Sequence, residues 1–167
     1  MGVFRTASLD RTAFAFTLLL VAAPAAAAAV AVMNTGEPRY VALTVAVLLS
    51  VVCAVSYAIA PCSYHVRQDR IIIRRHLWLP SSIPMSQVRS CYPYPELART
   101  RALRLIGNGG AFGWYGTYSC DELGTFRMYA TDRAKAVVIG NGTKFVLSPE
   151  RQETFLAAVN EYARLST

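Results

Sequence analysis

Two long runs without a charged residue constrain this chain more than any other feature of its sequence. Residues 12–33 and 40–60 contain no Asp, Glu, Lys or Arg, and a six-residue link with glycine, proline and charges separates them. At ~1.5 Å per residue, each run forms a helix of roughly 32 Å, which matches the ~30 Å hydrocarbon core of a bilayer. The sequence therefore predicts a transmembrane helical hairpin within residues 1–60, with helices over about 12–33 and 40–60.

The composition agrees with a membrane protein that carries one modest domain. The 167 residues are 54% hydrophobic and only 16% charged, whereas soluble domains average ~25% charged residues. These values exclude a wholly soluble globular protein, a disordered chain and a disulfide-stapled secreted module. Residues 61–167 are long enough for a single core, and we expect them to form one cytoplasmic domain.

The first apolar run has a second interpretation. Arg5 and Arg11 precede it, and it ends in alanines 25–29, a pattern that resembles the cleavage region of a signal peptide. Its full spanning length and the lack of a clear polar stop favour a retained helix. Cleavage of this segment stays open on the sequence alone.

Basic residues predict the orientation of the hairpin. The N-terminal flank carries Arg5 and Arg11, the link carries Arg39, and four arginines follow the second run: Arg67, Arg70, Arg74 and Arg75. Basic flanks stay on the cytoplasmic side of a membrane. We therefore expect a multi-pass protein of the inner (plasma) membrane, with both termini and the domain in the cytoplasm.

The second apolar run has a small residue at every fourth position: Ala42, Ala46, Ser50, Ala54 and Ala58. Small residues allow close approach of another helix. This ladder predicts either packing within the hairpin or contact with a second copy or another protein. Neither run contains an ionisable group, which argues against transport by the hairpin alone.

Beyond residue 60, short segments with period-two alternation are typical of β-strands. They cover residues 64–66, 71–79, 83–91, 103–105, 115–120, 125–131, 134–139 and 144–147. Ser148 is the expected N-cap of a final helix, with Phe155 and Val159 on its apolar face. The pattern predicts an α+β fold, in which a mainly antiparallel sandwich or barrel is plugged by a C-terminal helix.

Several motifs in order resemble the bacterial pleckstrin-homology (PH)-like domain family. They are Gly-Gly-Ala-Phe-Gly-Trp-Tyr-Gly at 109–116, Leu-Gly-Thr-Phe at 123–126, Tyr-Ala-Thr-Asp-Arg at 129–133, Ala-Val-Val at 136–138 and Ser-Pro-Glu at 148–150. The resemblance covers residues 62–165 and implies a seven-stranded barrel capped by a helix. Two preceding transmembrane helices also occur in that family. The resemblance implies no established activity.

No arrangement of residues predicts a catalytic, cofactor or metal site. Cys53 lies in an apolar run, and Cys62, Cys91 and Cys120 lack the close pairs that zinc sites use. The glycines at 107–116 do not fit a phosphate-binding loop, since a strand rather than a helix follows them. We expect no enzyme, no cofactor and no nucleic-acid partner.

Two groups of residues remain as candidates for binding. Four aromatic residues beside the glycines predict either a filled barrel core or an exposed interaction patch: Phe112, Trp114, Tyr115 and Tyr118. The arginines at 67, 70, 74 and 75 are candidate lipid-facing residues, because each basic side chain near an anionic leaflet contributes ~1 kcal/mol. Their other interpretation is that they only fix the orientation.

The leading hypothesis is a non-enzymatic, membrane-anchored PH-like domain that acts as a protein-interaction or self-assembling scaffold. Its partner is a second protein or another copy of the chain. One alternative is an anionic-lipid-binding module, and another is an accessory subunit of a larger membrane complex.

Overall fold

The computed structural model describes residues 2–140 and 142–165, which form a helix hairpin, two β-sheets and a C-terminal helix. This architecture confirms the α+β class and the two long apolar helices at the N-terminal side. The first helices are α1, Arg11–Met33, and α2, Glu37–Ile59. Only 6% and 11% of their most apolar windows are buried. Neither is therefore the core helix of a soluble protein, and both are long and apolar enough to cross a bilayer.

The packing of α1 against α2 follows alternating steps of four and three residues. The less exposed side chains include Ala13, Thr17, Leu20, Pro24, Ala27 and Ala31 on α1, and Ala42, Ala46, Leu49, Cys53 and Ser56 on α2. An average step of 3.5 residues is the spacing of helix pairs that cross at a shallow angle. Half of these positions on α1 are alanines, and small residues permit a close approach of two helix backbones.

A four-stranded sheet has the strand order β1-β2-β3-β4. Its strands are β1, Gly2–Arg5; β2, Pro61–Val66; β3, Arg70–Arg75; and β4, Ser81–Pro84. The sequence assigned residues 1–60 to the hairpin, but β1 precedes α1 and pairs antiparallel with β2. From β1 the described chain thus passes through both helices and returns to the same sheet at β2.

A six-stranded sheet has the order β5-β9-β10-β8-β7-β6. Its strands are β5, Cys91–Pro93; β6, Leu103–Gly110; β7, Gly113–Cys120; β8, Gly124–Ala130; β9, Val137–Ile139; and β10, Lys144–Leu147. Within the described residues, the ladder between β8 and β10 is parallel and the others are antiparallel. The sheet is therefore mixed.

The expected barrel is not closed among the described residues. The segment 83–91, predicted as one strand, is divided into β4, a 3₁₀ turn at Met85–Gln87 and β5. A continuous strand at this corner could belong to both sheets, whereas the turn ends one sheet before the other begins. The turn is fixed by two backbone bonds, from Met85 N to Asp69 O at 2.8 Å and from Val88 N to Met85 O at 2.9 Å.

The C-terminal helix α3, Gln152–Leu165, covers the core as expected. Phe155 and Val159 are fully buried in it, against Tyr64 and Ile73 of the four-stranded sheet. Ser148 is not its cap. The Ser148 hydroxyl is buried and accepts from Thr131 N at 2.7 Å, which ties the end of β10 to the residue after β8.

Candidate functional site at the junction of the helices and the sheet

The tip of the β6–β7 hairpin contacts both membrane-type helices. Phe112 N donates to Thr17 Oγ1 of α1 at 2.8 Å. The Phe112 ring meets Tyr57 of α2 edge-on, with 5.4 Å between the ring centroids. At Gly110, an added Cβ would lie 2.8 Å from the Phe16 ring, so only glycine fits this contact without displacing that ring. The helix hairpin and the sheet are thus packed together rather than merely connected.

Asp10 links the start of α1 to the domain. Its Oδ1 accepts from Ala13 N at 2.7 Å, the usual N-cap bond. Its Oδ2 accepts from Trp114 Nε1 at 2.9 Å and from Arg133 Nε at 3.5 Å. The Arg133 guanidinium lies 4.1 Å from the centroid of the Trp114 ring, a close cation–π contact. One carboxylate therefore caps a helix and holds two side chains of the domain.

Tyr115 and Tyr118 complete the junction as neutral hydrogen-bond donors. The Tyr115 hydroxyl donates to Ser56 O of α2 at 2.6 Å and accepts from Asn108 Nδ2 at 2.8 Å. The Tyr118 hydroxyl donates to Asn108 O. Burial raises the pKa of Tyr115, and it raises the pKa of Tyr118 to about 12. Both phenols therefore stay protonated at neutral pH.

The four aromatic residues of the predicted interaction patch thus lie together on the β6–β7 hairpin. Tyr118 belongs to the buried core of the six-stranded sheet, and Tyr115 is 7% exposed. Phe112 and Trp114 are half-buried and contact Tyr57, Thr17 and Asp10. The set thus extends from the core of the six-stranded sheet at Tyr118 to the chain's own helices at Phe112, an environment that residue type alone does not indicate.

The four candidate lipid-facing arginines lie at opposite ends of the β2–β3 hairpin. Arg75 pairs with Pro61, directly after α2, whereas Arg67 and Arg70 flank the turn at the other end. Five strand steps of ~3.4 Å separate these ends by about 17 Å. At the turn, Arg70 Nε binds Asp69 Oδ2 at 2.6 Å, and this bond lowers the pKa of Asp69. Only Arg74 and Arg75 lie close to the helix ends.

An exposed apolar loop follows Arg75. His76 N and Leu77 N donate to Ala60 O and Ala58 O at 3.2 and 3.1 Å, which fixes the loop at the last turn of α2. The His76 ring stacks on Tyr57, with 4.3 Å between centroids. Leu77, Trp78 and Leu79 are 78%, 54% and 78% exposed.

The sequence pattern conceals this loop, because Leu77 and Leu79 continue the period-two alternation of β3. The signal that could have separated them is Trp78 between two leucines, directly before Pro80. Three consecutive large apolar residues do not alternate, and a proline ends strand pairing. These residues form a surface loop, not the strand predicted over residues 71–79.

A cavity of about 650 Å³ lies between the helix pair and the β6–β7 hairpin. Its helix side is apolar, with Phe16 and Leu20 from α1 and Val52, Val55 and Ile59 from α2. Its domain side carries Arg75, Arg104, Asn108, Tyr115 and Tyr129. The Arg75 guanidinium donates to Ser81 Oγ at 2.8 Å and lies 5.6 Å from the centroid of the Tyr129 ring. The cavity is therefore apolar on one side and cationic on the other.

The small-residue ladder of α2 does not stay on one face. Ala46 is buried and Ala42 and Ala58 are half-buried, but Ser50 and Ala54 are exposed. A step of four residues turns a helix by about 40° beyond a full turn, so the ladder drifts away from α1. Ser50 and Ala54 line an open groove of about 560 Å³ beside Pro24, Ala25 and Ala28 of α1.

Edge strand β6 presents a further exposed apolar surface. It is the outer strand of its sheet, and Leu103, Leu105 and Ile106 are 72%, 55% and 76% exposed. The pairing with β7 shifts between Arg104 and Ile106. Such a bulge places two neighbouring residues opposite one partner, which explains why period-two alternation failed to identify these residues as a surface.

The described residues contain no group of three His, Cys, Asp or Glu side chains that could hold a metal ion. All four cysteines are free thiols. Burial raises the pKa of the Cys91 thiol to about 12, so it is protonated and unreactive at neutral pH.

Comparison with known proteins identifies the family. The sequence model described as Bacterial PH domain matches residues 62–163, which is most of the chain after α2. The chain belongs to the bacterial PH domain family. Searches of curated proteins and of solved structures gave no significant match. The matched region starts after both helices, so strand β1 and the helix hairpin lie outside it.

Proposed function

We propose that this bacterial PH domain protein is a non-catalytic membrane-surface module. Its two helices anchor it in the inner membrane, and its domain lies against the cytoplasmic leaflet and engages anionic lipid there. PH domains are in general non-catalytic modules, which agrees with this role. The observation that carries the proposal is the exposed apolar loop of Leu77, Trp78 and Leu79 at the end of α2.

The position of this loop supports contact with the bilayer. Burial of apolar surface is favourable by ~25 cal/mol per Å², and lipid at the end of α2 can bury surface that water leaves exposed. Tryptophan is favoured at the membrane interface, where its ring is apolar and its N–H remains solvated. Two backbone bonds to Ala58 and Ala60 hold the loop at that depth.

Charge supports the anionic leaflet as the surface involved. Arg74 is exposed and Arg75 half-buried beside the loop, and each exposed arginine near anionic lipid contributes ~1 kcal/mol. The end of the helix hairpin that carries the loop also carries Arg5 and Arg11, whereas the link at the opposite end carries one arginine, Arg39. This difference favours the cytoplasmic side for the domain.

The contacts of β1 support retention of α1 in the mature protein. Loss of the chain up to the end of the first apolar run would remove β1 from the edge of the four-stranded sheet. It would also remove Phe4, whose ring meets Phe155 edge-on with 5.2 Å between centroids. Asp10 and its bonds to Trp114 and Arg133 would be lost as well.

The test measures the depth of Trp78 in lipid vesicles. Trp114→Phe leaves Trp78 as the single tryptophan of the full-length protein, reconstituted with lipids brominated near the headgroup. We expect strong quenching of its fluorescence by these lipids and weak quenching by aqueous iodide. The matched control, Trp78→Phe, leaves Trp114 packed between Asp10 and Arg133. Quenching of Trp78 by iodide and not by brominated lipid would refute the proposal.

A second candidate function, protein interaction, is favoured by edge strand β6. Unpaired backbone groups and the exposed Leu103, Leu105 and Ile106 are features of strands that pair with another chain. Native mass determination of the full-length protein in mild detergent tests it. A complex heavier than 18.3 kDa supports it if Leu105→Arg dissociates the complex. Thr125→Arg, at an exposed position of the inner strand β8, is the control and should leave the complex intact. A monomer without a partner at native expression rejects it.

A further inference from the structure

We propose that the cavity between the helix pair and the β6–β7 hairpin binds one anionic phospholipid, with its phosphate between Arg75 and Arg104 and its acyl chains along α1 and α2. This inference rests on the proposed function, since it assumes that the junction lies at the membrane surface. It adds a defined site and a defined ligand class to a general affinity for anionic lipid.

The two arginines of the cavity are not neutralised within the described residues. The ion pairs there join Arg70 to Asp69 and Arg133 to Asp10, and neither includes Arg75 or Arg104. Arg75 Nε is buried and has no hydrogen-bond partner among the described atoms. A buried donor without an acceptor is unfavourable, and a phosphate oxygen would supply the missing acceptor. Guanidinium groups bind phosphate with two parallel hydrogen bonds.

Glycine 109 explains how Arg104 reaches the cavity. A Cβ at Gly109 would lie 2.8 Å from Arg104 Nη1, so the guanidinium lies over a backbone without a side chain. Gly107 and Gly116 face each other across the same hairpin and also line the cavity. The glycine-rich strands thus leave space beside α1 that larger residues would fill.

The apolar side of the cavity lies at the distance along the helices where a lipid headgroup ends and its acyl chains begin. Phe16 and Leu20 lie about 8 and 13 Å along α1 from Arg11, and Val52 lies about 10 Å before the end of α2. The interfacial layer of a bilayer is about 5–7 Å thick on each side. These side chains therefore extend from the interface into the hydrocarbon, while the two arginines remain at the level of the domain.

This combination favours a phospholipid over a soluble anion. A free phosphate would use the arginines but would leave the wall of Phe16, Leu20 and Val52 without a partner. An uncharged lipid would fill the wall but would leave two cations unpaired. One molecule with both parts satisfies both sides of the cavity.

The test is lipid retention by the full-length protein, measured by native mass spectrometry in detergent. Phosphatidylglycerol and phosphatidylcholine are added separately. We expect one phosphatidylglycerol per chain, bound at least 10-fold more tightly than phosphatidylcholine, because the choline cation offsets the phosphate charge beside the two arginines. Excess inorganic phosphate should not release the bound lipid. Arg75→Gln and Arg104→Gln should each weaken retention about 10-fold. The control Arg67→Gln, at the far end of the β2–β3 hairpin, should have no effect.

Gly109→Ala is the variant that changes no charge. Its backbone is not in a glycine-only conformation, so the protein should fold with an unchanged thermal midpoint while Arg104 is displaced and retention falls.

Equal retention by wild type and the Arg75→Gln/Arg104→Gln double variant would overturn the site. So would release of the lipid by inorganic phosphate, which would indicate an anion site. Wild-type protein that retains no phosphatidylglycerol but shows Trp78 quenched by brominated lipid rejects this site alone, whereas unquenched Trp78 rejects the proposed function.

Discussion

Two β-hairpins of this bacterial PH domain protein reach the same helix ends in different ways. The β2–β3 hairpin starts directly after α2, and its alternating residues Tyr64, Ile71 and Ile73 are buried in the domain core. The β6–β7 hairpin is remote in sequence, yet it bonds to Thr17 and Ser56 over separations of 95 and 59 residues. The first hairpin is positioned by chain connection, and the second by tertiary contacts.

The difference shows which hairpin determines how the domain is oriented relative to the two helices. A covalent link at Pro61 alone would let the domain pivot about one point. The second contact at Phe112, with the Asp10 cluster at the start of α1, adds separate attachment points. The helix hairpin and the domain therefore form one unit, and its apolar loop and cavity have a fixed position relative to the helix ends.

The largest expected effect comes from the strand contact that shapes the β6–β7 hairpin. Gly116 has φ +133°, and a Cβ there would lie 2.2 Å from Ile106 O. Gly116→Ala combines this overlap with an unfavourable backbone conformation, and we expect it to destabilise the protein by about 3 kcal/mol or more. Thermal unfolding in detergent measures it.

The matched control is Gly124→Ala, which also has positive φ but nothing within 4 Å of the added Cβ. It should lower stability by only about 1–2 kcal/mol. Equal effects of the two substitutions would show that β6 and β7 are not in close contact at Gly116.

The next largest effect is expected at Asp10. Asp10→Ala removes the helix cap, which contributes ~1 kcal/mol, and the bonds to Trp114 and Arg133, for a total loss of about 2 kcal/mol. Asp10→Asn keeps one oxygen for the helix cap. Its NH2 group replaces the oxygen that accepts from Trp114 and Arg133, so it loses those bonds but not the cap and should have the smaller effect. Trp114 fluorescence during thermal unfolding measures the stability of both variants. A larger loss for Asp10→Asn would contradict the assigned contacts.

A smaller effect is expected at Tyr115. Tyr115→Phe keeps the ring and removes the hydroxyl that joins Asn108 to Ser56 O, which should reduce stability by about 1 kcal/mol. Combination with Thr17→Val, at the other contact of the hairpin, tests cooperation between the two contacts. Strictly additive losses in this double-mutant cycle would indicate that they act independently.

The smallest effect at neutral pH is expected for the buried phenols. Burial raises the pKa of Tyr64 and of Tyr118 to about 12, above the usual value of ~10. Because the folded state holds these protons more tightly, this stabilisation is complete below pH ~10 and is lost as the pH rises toward 12. Absorbance at alkaline pH should show that Tyr64 and Tyr118 titrate later than the exposed tyrosines, together with unfolding. Titration of all tyrosines near the usual pKa would contradict their burial.

The elements governed by local patterns could be predicted from the sequence. Charge-free runs predicted α1 and α2, and alternation predicted β2 and the start of β3, because burial of one face leaves a local signal. β1 could not be predicted, since four residues form a strand only by pairing with β2 across the whole helix hairpin. The parallel pairing of β10 with β8 likewise depends on tertiary contacts.

The candidate site was predicted only in part. The aromatic residues and Arg75 were identified by residue type, but their shared position at the helix ends was not. Arg104 and the wall of Phe16 and Val52 carry no local signal, because an arginine in a strand and an apolar residue in a transmembrane helix are both ordinary. Only the packing of the β6–β7 hairpin on the helices brings them around one cavity.

The central claim is that the tip of the β6–β7 hairpin rests on the chain's own helices. The most direct measurement replaces Phe112 with a photo-reactive benzophenone amino acid in the full-length protein and irradiates it in native membranes. Mass spectrometry should then find intramolecular crosslinks to the peptides that contain Thr17 and Tyr57. Crosslinks to lipid or to a second protein, without these intramolecular products, would contradict the claim.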